Sequence, residues 1–330
     1  IELDALITES GVTPMLHTMF VSAAASDGVI DAVIIENKSG RGAVRAKYFI
    51  DATGDGDIAA RLGLPLTLKK HLQPPTMCAK ILGTENLPAA ELIEAHRDEF
   101  KLRKDWGWHA RCVGLPGVVM HAETHVFDVN CADAADLTRA EIEGRRQVRA
   151  FMDIVRKYTV TKPVLADLPS YIGIRETRHI RCAYTLTERD VLTGASFPDA
   201  VAFGSYRVDV HHEDRPGITF RYLDGREDVF EHGKGFTRGR WRAQSASDPT
   251  FYQIPLRSLL PGMNNLILAG RMIDADAGAF GAVRVMVNMN QTGEAAGVAS
   301  FTALDSGIAV TDVPPVRVRS LLAAGGSIVL

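Results

Sequence analysis

Two arginines three residues apart, Arg175 and Arg178, flank Glu176 in this chain of 330 residues. Guanidinium forks match carboxylates, so the pair could clamp an anionic substrate. They could equally form an internal ion-pair network with Glu176 and Asp190, because buried arginines are nearly always paired. Arg257, in the run Ile254-Pro-Leu-Arg-Ser258, is a further candidate for contact with an anion. His211 follows Asp209 by two positions, and in a strand both side chains leave on one face. Imidazole exchanges protons near neutral pH, which suits proton transfer; a hydrogen-bonded structural histidine is the plainer role. The neighbouring His212-Glu213-Asp214 adds further polar groups there.

The run His121-Ala-Glu-Thr-His125 invites a metal reading, but Val118–Val129 has the pattern of a strand. Four residues span ~13 Å in a strand against ~6 Å along a helix. Those two histidines cannot share one ion, and no metal is expected. The four cysteines (Cys78, Cys112, Cys131, Cys182) are scattered with no C-x-x-C, which argues against an iron–sulfur cluster, a structural zinc and a dithiol centre. Free thiols in a reducing cytoplasm are expected. A net charge of −3 gives no electrostatic argument for nucleic acid or membrane partners. No apolar run approaches the ~20 residues that span a bilayer.

Elements must position these groups. Leu266–Ala269 is a short apolar run of the kind a strand covered on both faces requires. It ends at Gly270-Arg271, passes Asp274 in a loop, and leads to a helix from about Arg284. On that helix Gly293, Ala296, Gly297 and Ser300 form one small-residue stripe that lets another backbone approach. Its first turn, with Arg284, Val285 and Met286, presents free N–H groups and a positive dipole end, which suits a large electron-rich cofactor. Ala52-Thr53-Gly54 makes a small-residue turn after another apolar strand, where a dinucleotide could lie close to the backbone. A plain strand-to-helix turn, with Asp55 in the turn and Asp57 capping a helix from Ile58, fits the same residues. Upstream, strands at Val12–Val21, Gly28–Glu36 and Ala43–Ile50 read as a meander. Thr138 and Glu141 have capping-box spacing ahead of Val148, Phe151, Met152 and Val155 at helical spacing. A short helix is expected at Val318–Ala324.

Four blocks, in order, resemble one family. They are Tyr48–Arg61, with its Ala-Thr-Gly-Asp-Gly-Asp core; Ile172–Ile180 with Tyr184–Asp190 and Tyr206–His211; Tyr252–Pro261; and Asn265–Gly297. The chain is identified as a member of the FAD-dependent oxidoreductases of the glutathione-reductase-like superfamily, in the fumarate-reductase-like branch. The G-x-G-x-x-G strand-turn-helix that opens such proteins is absent, and Ile1-Glu-Leu-Asp reads as mid-helix, so an amino-terminally truncated portion is expected.

The resemblance implies an α/β fold: an FAD/NAD(P)-binding doubly wound parallel sheet with a β-meander, interrupted by a mixed α+β cap domain. It implies an FAD-binding first part at 1–63, a cap at 64–251, a closing FAD-binding part at 252–306 and a tail at 307–330. FAD is the implied cofactor, held by Ala52, Thr53, Gly54, Asp55, Gly270, Arg271, Asp274, Arg284, Val285 and Met286. The helix end near Arg284 would face the flavin N1 edge, where reduction builds negative charge. Many relatives carry Ser-Ala-Thr-His where this chain has Asp274-Ala-Asp-Ala277, so Asp276 is the candidate in place of a histidine proton donor.

The implied activity is hydride transfer between flavin N5 and a small organic substrate, carboxylates included, with Arg175, Arg178, His211, Arg257 and Asp276 as candidate catalytic residues. An unidentified electron donor or acceptor completes the cycle, and the enzyme is expected in the cytoplasm. A flavin monooxygenase or halogenase is the alternative enzyme, and a cofactor-free remnant with a binding or structural role is the alternative outside enzymes.

Overall fold

The computed structural model describes residues 1–103, 107–212, 216–231 and 234–330. After α1 (Glu2–Glu9), the strands β1 (Met19–Ser26), β2 (Val29–Asn37) and β3 (Gly40–Val44) form an antiparallel meander. The first strand begins later than the expected Val12. Pro14 lacks an N–H and restricts Thr13, so pairing starts only beyond them. Then β4 (Phe49–Asp51) runs through a glycine turn into α2 (Asp57–Arg61).

The next section holds β5 (Leu66–Leu68), β6 (Ala79–Leu82), α3 (Ala89–His96), β7 (Trp108–Arg111), β8 (Val118–Ala122), α4 (Ala134–Tyr158) and β9 (Val164–Asp167). Strands β7-β8-β6-β9 form an antiparallel sheet. Met77, Ile81, Ile93, Val148, Phe151 and Val155 join it to α3 and α4 in one apolar cluster. The cap of α4 is Asp133, not Thr138: its carboxylate accepts from the N–H groups of Ala135 and Asp136. Thr138 lies inside the helix, its hydroxyl donating to Ala134 O at 2.8 Å, and Glu141 accepts instead from Ile172 N at 2.7 Å. The carboxylate a turn earlier meets the unpaired first-turn donors, and the helix starts there.

The remainder comprises β10 (Arg178–Ile180), α5 (Glu188–Thr193), β11 (Ala200–Gly204), β12 (Val208–His211), β13 (Gly217–Arg221), β14 (Arg226–Glu231), β15 (Gly235–Arg240), β16 (Tyr252–Pro255), β17 (Leu266–Leu268), α6 (Ala277–Val283), α7 (Met286–Ser306) and α8 (Pro315–Ala324). Strands β12 to β15 form an antiparallel sheet in chain order. The main core joins α5, β11, β16, β17, α6, α7 and α8, so buried residues from Leu186 to Leu223 pack with those from Tyr252 to Leu322.

One strand pair is parallel: Leu266, Ile267 and Leu268 of β17 lie beside Phe49, Ile50 and Asp51 of β4. This is the juxtaposition the two apolar runs predict. Among the described residues no further strand extends this pair, so it is a two-stranded parallel element within a mixed α/β fold.

Two expectations about the carboxyl-terminal helices change. A separate helix, α6, occupies the stretch read as loop, and Arg284 closes it rather than opening α7. Gly278 and Gly281 weaken its helical signal in the sequence, but both serve packing. A Cβ on Gly281 would stand 2.6 Å from Asp209 O, and one on Gly278 would stand 2.2 Å from Glu188 Oε2. The buried stripe of α7 is Ala295, Ala296, Ala299 and Ala303. Gly293 and Gly297 have no described atom within 4 Å of a Cβ position, so no backbone approaches there. Among the described residues no helix is long and apolar enough to cross a membrane.

Candidate active site

The carboxyl ends of β4 and β17 form one polar edge. Asp51, fully buried, caps α2 from a distance: Oδ2 accepts from Ile58 N at 3.0 Å and Ala59 N at 3.3 Å. Its Oδ1 accepts from the Thr53 hydroxyl at 2.7 Å, and Thr53 Oγ1 in turn accepts from Asp57 N at 3.0 Å. Asp57 is therefore not the cap. It is the first helical residue, and its carboxylate pairs with Arg178 at 2.8 Å. Gly54 (φ +79°) and Gly270 (φ +120°) both adopt backbone conformations that favour glycine, and a Cβ on Gly270 would stand 4.0 Å from Gly54 Cα. Arg271 lies over this turn, donating to Gly54 O at 2.7 Å and to Asp55 Oδ1 at 2.6 Å. Ala52 and Thr53 are exposed beside it.

A cleft of about 1040 Å³ opens elsewhere on the surface, lined by Lys69–Pro74, Arg97, Arg103, Phe127–Asn130, Asp136, Glu176, His211, His212 and Ala277, with Leu68, Val210 and Pro216. One wall is a buried charge cluster that sequence reasoning missed. Glu176 accepts from Lys69 Nζ at 2.6 Å, His179 Nε2 at 2.8 Å and Gln73 N at 2.9 Å. Burial alone would raise its carboxyl, but the His179 hydrogen bond and the Lys69 ammonium outweigh that and hold it down to about 2. The second His179 nitrogen meets Ile273 O at 3.0 Å, and its ring stands edge-on to Phe280 at 4.5 Å. Lys69 lies 5.3 Å from the same ring, a cation–π contact. Arg103 pairs with Asp128 at 2.9 Å, and Asp136 with Arg139 at 2.8 Å. Lys70 and His71 are exposed on the rim and have no partner among the described residues.

Arg175 and Arg178 do not line this cleft. Arg178 donates to Asp57, to Asp55 O at 3.2 Å and to Ala132 O at 3.2 Å, tying the β4 turn to the α4 section. Arg175 donates to Pro74 O and approaches His125 Nε2 at 3.5 Å. Neither pairs with Glu176, whose oxygens are taken, nor with Asp190, which caps α5 with Thr187 and accepts from Tyr184 at 2.8 Å. Arg257 stacks 4.6 Å from the Tyr184 ring and 5.4 Å from Phe197.

His211 does line the cleft, its ring edge-on to His125 at 4.8 Å. Glu213 and Asp214 lie outside the described residues. Asp209 instead bonds Arg284 at 3.3 Å and Tyr206 at 3.0 Å.

Asp276 is a double cap. It accepts from Ala279 N at 2.8 Å in α6 and from Glu188 N at 2.9 Å in α5. Asp274 is buried and accepts from Cys182 N at 2.8 Å. Met286 is 82% exposed, whereas Asn288 in the same first turn of α7 is buried. Two thiols are poor nucleophiles: burial pushes Cys131 up to about 11 and Cys182 higher still. Lys69, Glu176 and His179 had no common sequence signal, since Lys69 and Glu176 lie 107 positions apart.

The family described as FAD dependent oxidoreductase matches residues 2–322. No curated protein matches the sequence. Among solved structures, p-nitrophenol 4-monooxygenase PnpA from Pseudomonas putida DLL-E4 is similar over 94% of this chain and 55% of its own, at 10% identity and TM-score 0.39. The flavin-dependent brominase Bmp2 triple mutant is similar over 98% of this chain and 61% of its own, at 12% identity and TM-score 0.41. L-proline dehydrogenase from P.horikoshii is similar over 98% and 58%, at 9% identity and TM-score 0.31. The chain thus spans roughly half to three-fifths of these structures' lengths, and likenesses this slight carry no argument about activity. The family match covers nearly the whole sequence, and the chain belongs to the FAD dependent oxidoreductase family.

Proposed function

We propose that the protein uses FAD to oxidise or reduce a small organic anion bound in the Lys69–His211 cleft. The observation that carries this is the cleft's rim. Lys70 and His71 stand there without a partner among the described residues, while the acids of the wall are already paired. Unpaired donors at the mouth of a cleft attract a carboxylate and fix its orientation.

The β4–β17 edge fits a dinucleotide. Two glycines with positive φ face each other at the carboxyl ends of parallel strands, and Arg271 supplies a positive charge beside exposed Ala52 and Thr53. Thr53, Gly54, Asp55, Gly270 and Arg271 would hold the cofactor there; FAD, when bound, supplies the hydride acceptor or donor at N5. A doubly wound sheet around that edge belongs to the same proposal. Lys70 and His71 bind the substrate anion, the Lys69–Glu176–His179 cluster keeps the wall rigid, and His211 moves a proton at its imidazole. An external electron donor or acceptor completes the cycle.

The test is anaerobic reduction of the flavin-loaded protein by a panel of small carboxylic acids and their neutral amides. Acids are expected to react, with a rate that falls as salt screens the rim. If the amides react as well as the acids, or Lys70→Glu leaves KM unchanged, the anion reading fails.

A further inference from the structure

Away from the cleft, a second cluster unites groups the sequence keeps apart. His109 of β7 and His121 of β8 are directly opposed across the antiparallel pair, with ring centroids 5.6 Å apart. Glu123 follows His121 by two positions, one residue past the end of β8. Its carboxylate lies between the rings: His109 Nδ1 is 2.8 Å from Oε1, and His121 Nδ1 is 2.9 Å from Oε2. The three donor atoms lie within 4.8 Å of one another. His121 and Glu123 are 3% and 6% exposed, whereas His109 opens to solvent. None of the three lines the cleft.

We propose that His109, His121 and Glu123 bind one borderline divalent cation, Zn²⁺ foremost, which fastens β7 to the sheet. Two imidazole nitrogens and one carboxylate oxygen suit zinc and its neighbours, not calcium or magnesium. With zinc–ligand distances of about 2.0–2.1 Å, tetrahedral donors stand roughly 3.3 Å apart. The present spacing needs only small side-chain adjustments. Both histidines turn Nδ1 toward the carboxylate, so a cation there replaces the shared protons. His121 Nε2, 2.8 Å from Thr84 Oγ1, is then free to donate to that hydroxyl, and the bond fixes the ring. The solvent side of His109 leaves room for a water as fourth ligand. The strand expected over Val118–Val129 ends at Ala122, so His125 lies beyond it, and the partner of His121 is His109 across the β7–β8 pair.

The experiment is zinc titration of the metal-stripped full chain, followed by calorimetry and thermal denaturation, beside His109→Ala. His109 is half exposed, so its removal leaves the fold standing. One equivalent of zinc is expected, with a rise in Tm that His109→Ala abolishes and an affinity at least about 100-fold lower in that variant. Co²⁺ in place of zinc should give tetrahedral d–d bands without thiolate charge transfer. Glu123→Gln should also lose the site, and Thr84→Val should weaken it about tenfold. Absence of stoichiometric binding, equal affinity in His109→Ala, or cobalt–thiolate bands from the cysteines would overturn the proposal.

Discussion

Lys69 Nζ stands 2.6 Å from Glu176 Oε1, and the pair holds a wall of the cleft although the two residues lie 107 positions apart. The glutamate is almost fully buried and the lysine only 20% exposed, so removing the lysine strands a charge in a poor solvent for it. Lys69→Met is expected to cost about 3 kcal/mol in denaturant unfolding. Glu176→Gln made in the same background should recover part of that loss. Equal losses that simply add would show that the two residues are not coupled.

Acid stability follows from the same carboxylate. Its folded value of about 2 lies below the ordinary 4.5. A depressed acid contributes stability that is fully present above its unfolded value and is lost as pH falls through the folded one. The contribution, on the order of 3 kcal/mol, should disappear between pH 4.5 and 2. Glu176→Gln should flatten the unfolding curve in that window. A variant that retains the wild-type slope would move the acid transition to another group.

Asp276 separates a structural role from a chemical one. As the cap of both α5 and α6 it should cost roughly 1–2 kcal/mol on replacement by alanine. Asp276→Asn, which keeps an acceptor oxygen, should restore most of the stability. Should Asp276→Asn retain stability while turnover collapses, the carboxylate acts as a proton donor as well.

Gly54→Ala tests the cofactor edge. A Cβ at φ +79° would stand 3.0 Å from the Arg271 guanidinium, so the backbone is strained and the arginine displaced. Weaker FAD binding and a stability loss of about 1–2 kcal/mol are expected by fluorescence titration and thermal unfolding. Unchanged affinity for FAD would show that the cofactor does not use this turn.

What could be read in the sequence divides along physical lines. Leu266–Leu268 announced itself because a strand covered on both faces must be apolar throughout, and all three residues are buried; Phe49–Asp51, with Ile50 exposed and Asp51 polar, was legible from the glycine turn that follows it. The meander was legible from alternation and turn residues, although Pro14 delayed its first strand. Helix α6 was hidden because its glycines serve Asp209 and Glu188 across the packing seam rather than local propensity. Thr138 looked like the cap of α4, but the unpaired N–H groups lie a turn earlier, where Asp133 accepts from them. The site was least legible. Lys69, Glu176 and His179 meet through tertiary packing, and His109 reaches His121 through strand register, neither of which leaves a local pattern.

The pairing of β4 with β17 also sets an order in time. Closing a loop of that length is slow, whereas the sheet and helices built around Met77, Ile81, Val148 and Phe151 draw on nearer neighbours. During synthesis β4 must wait unpaired until Leu266–Leu268, its strand partner among the described residues, emerges. Pulse-labelled hydrogen exchange should find Ala269 N–H, which donates to Asp51 O at 2.8 Å, protected later than the amides of α4. The strand edge proposed to receive FAD then forms after the α4 section, and a chain halted before Leu266 has no such edge to offer.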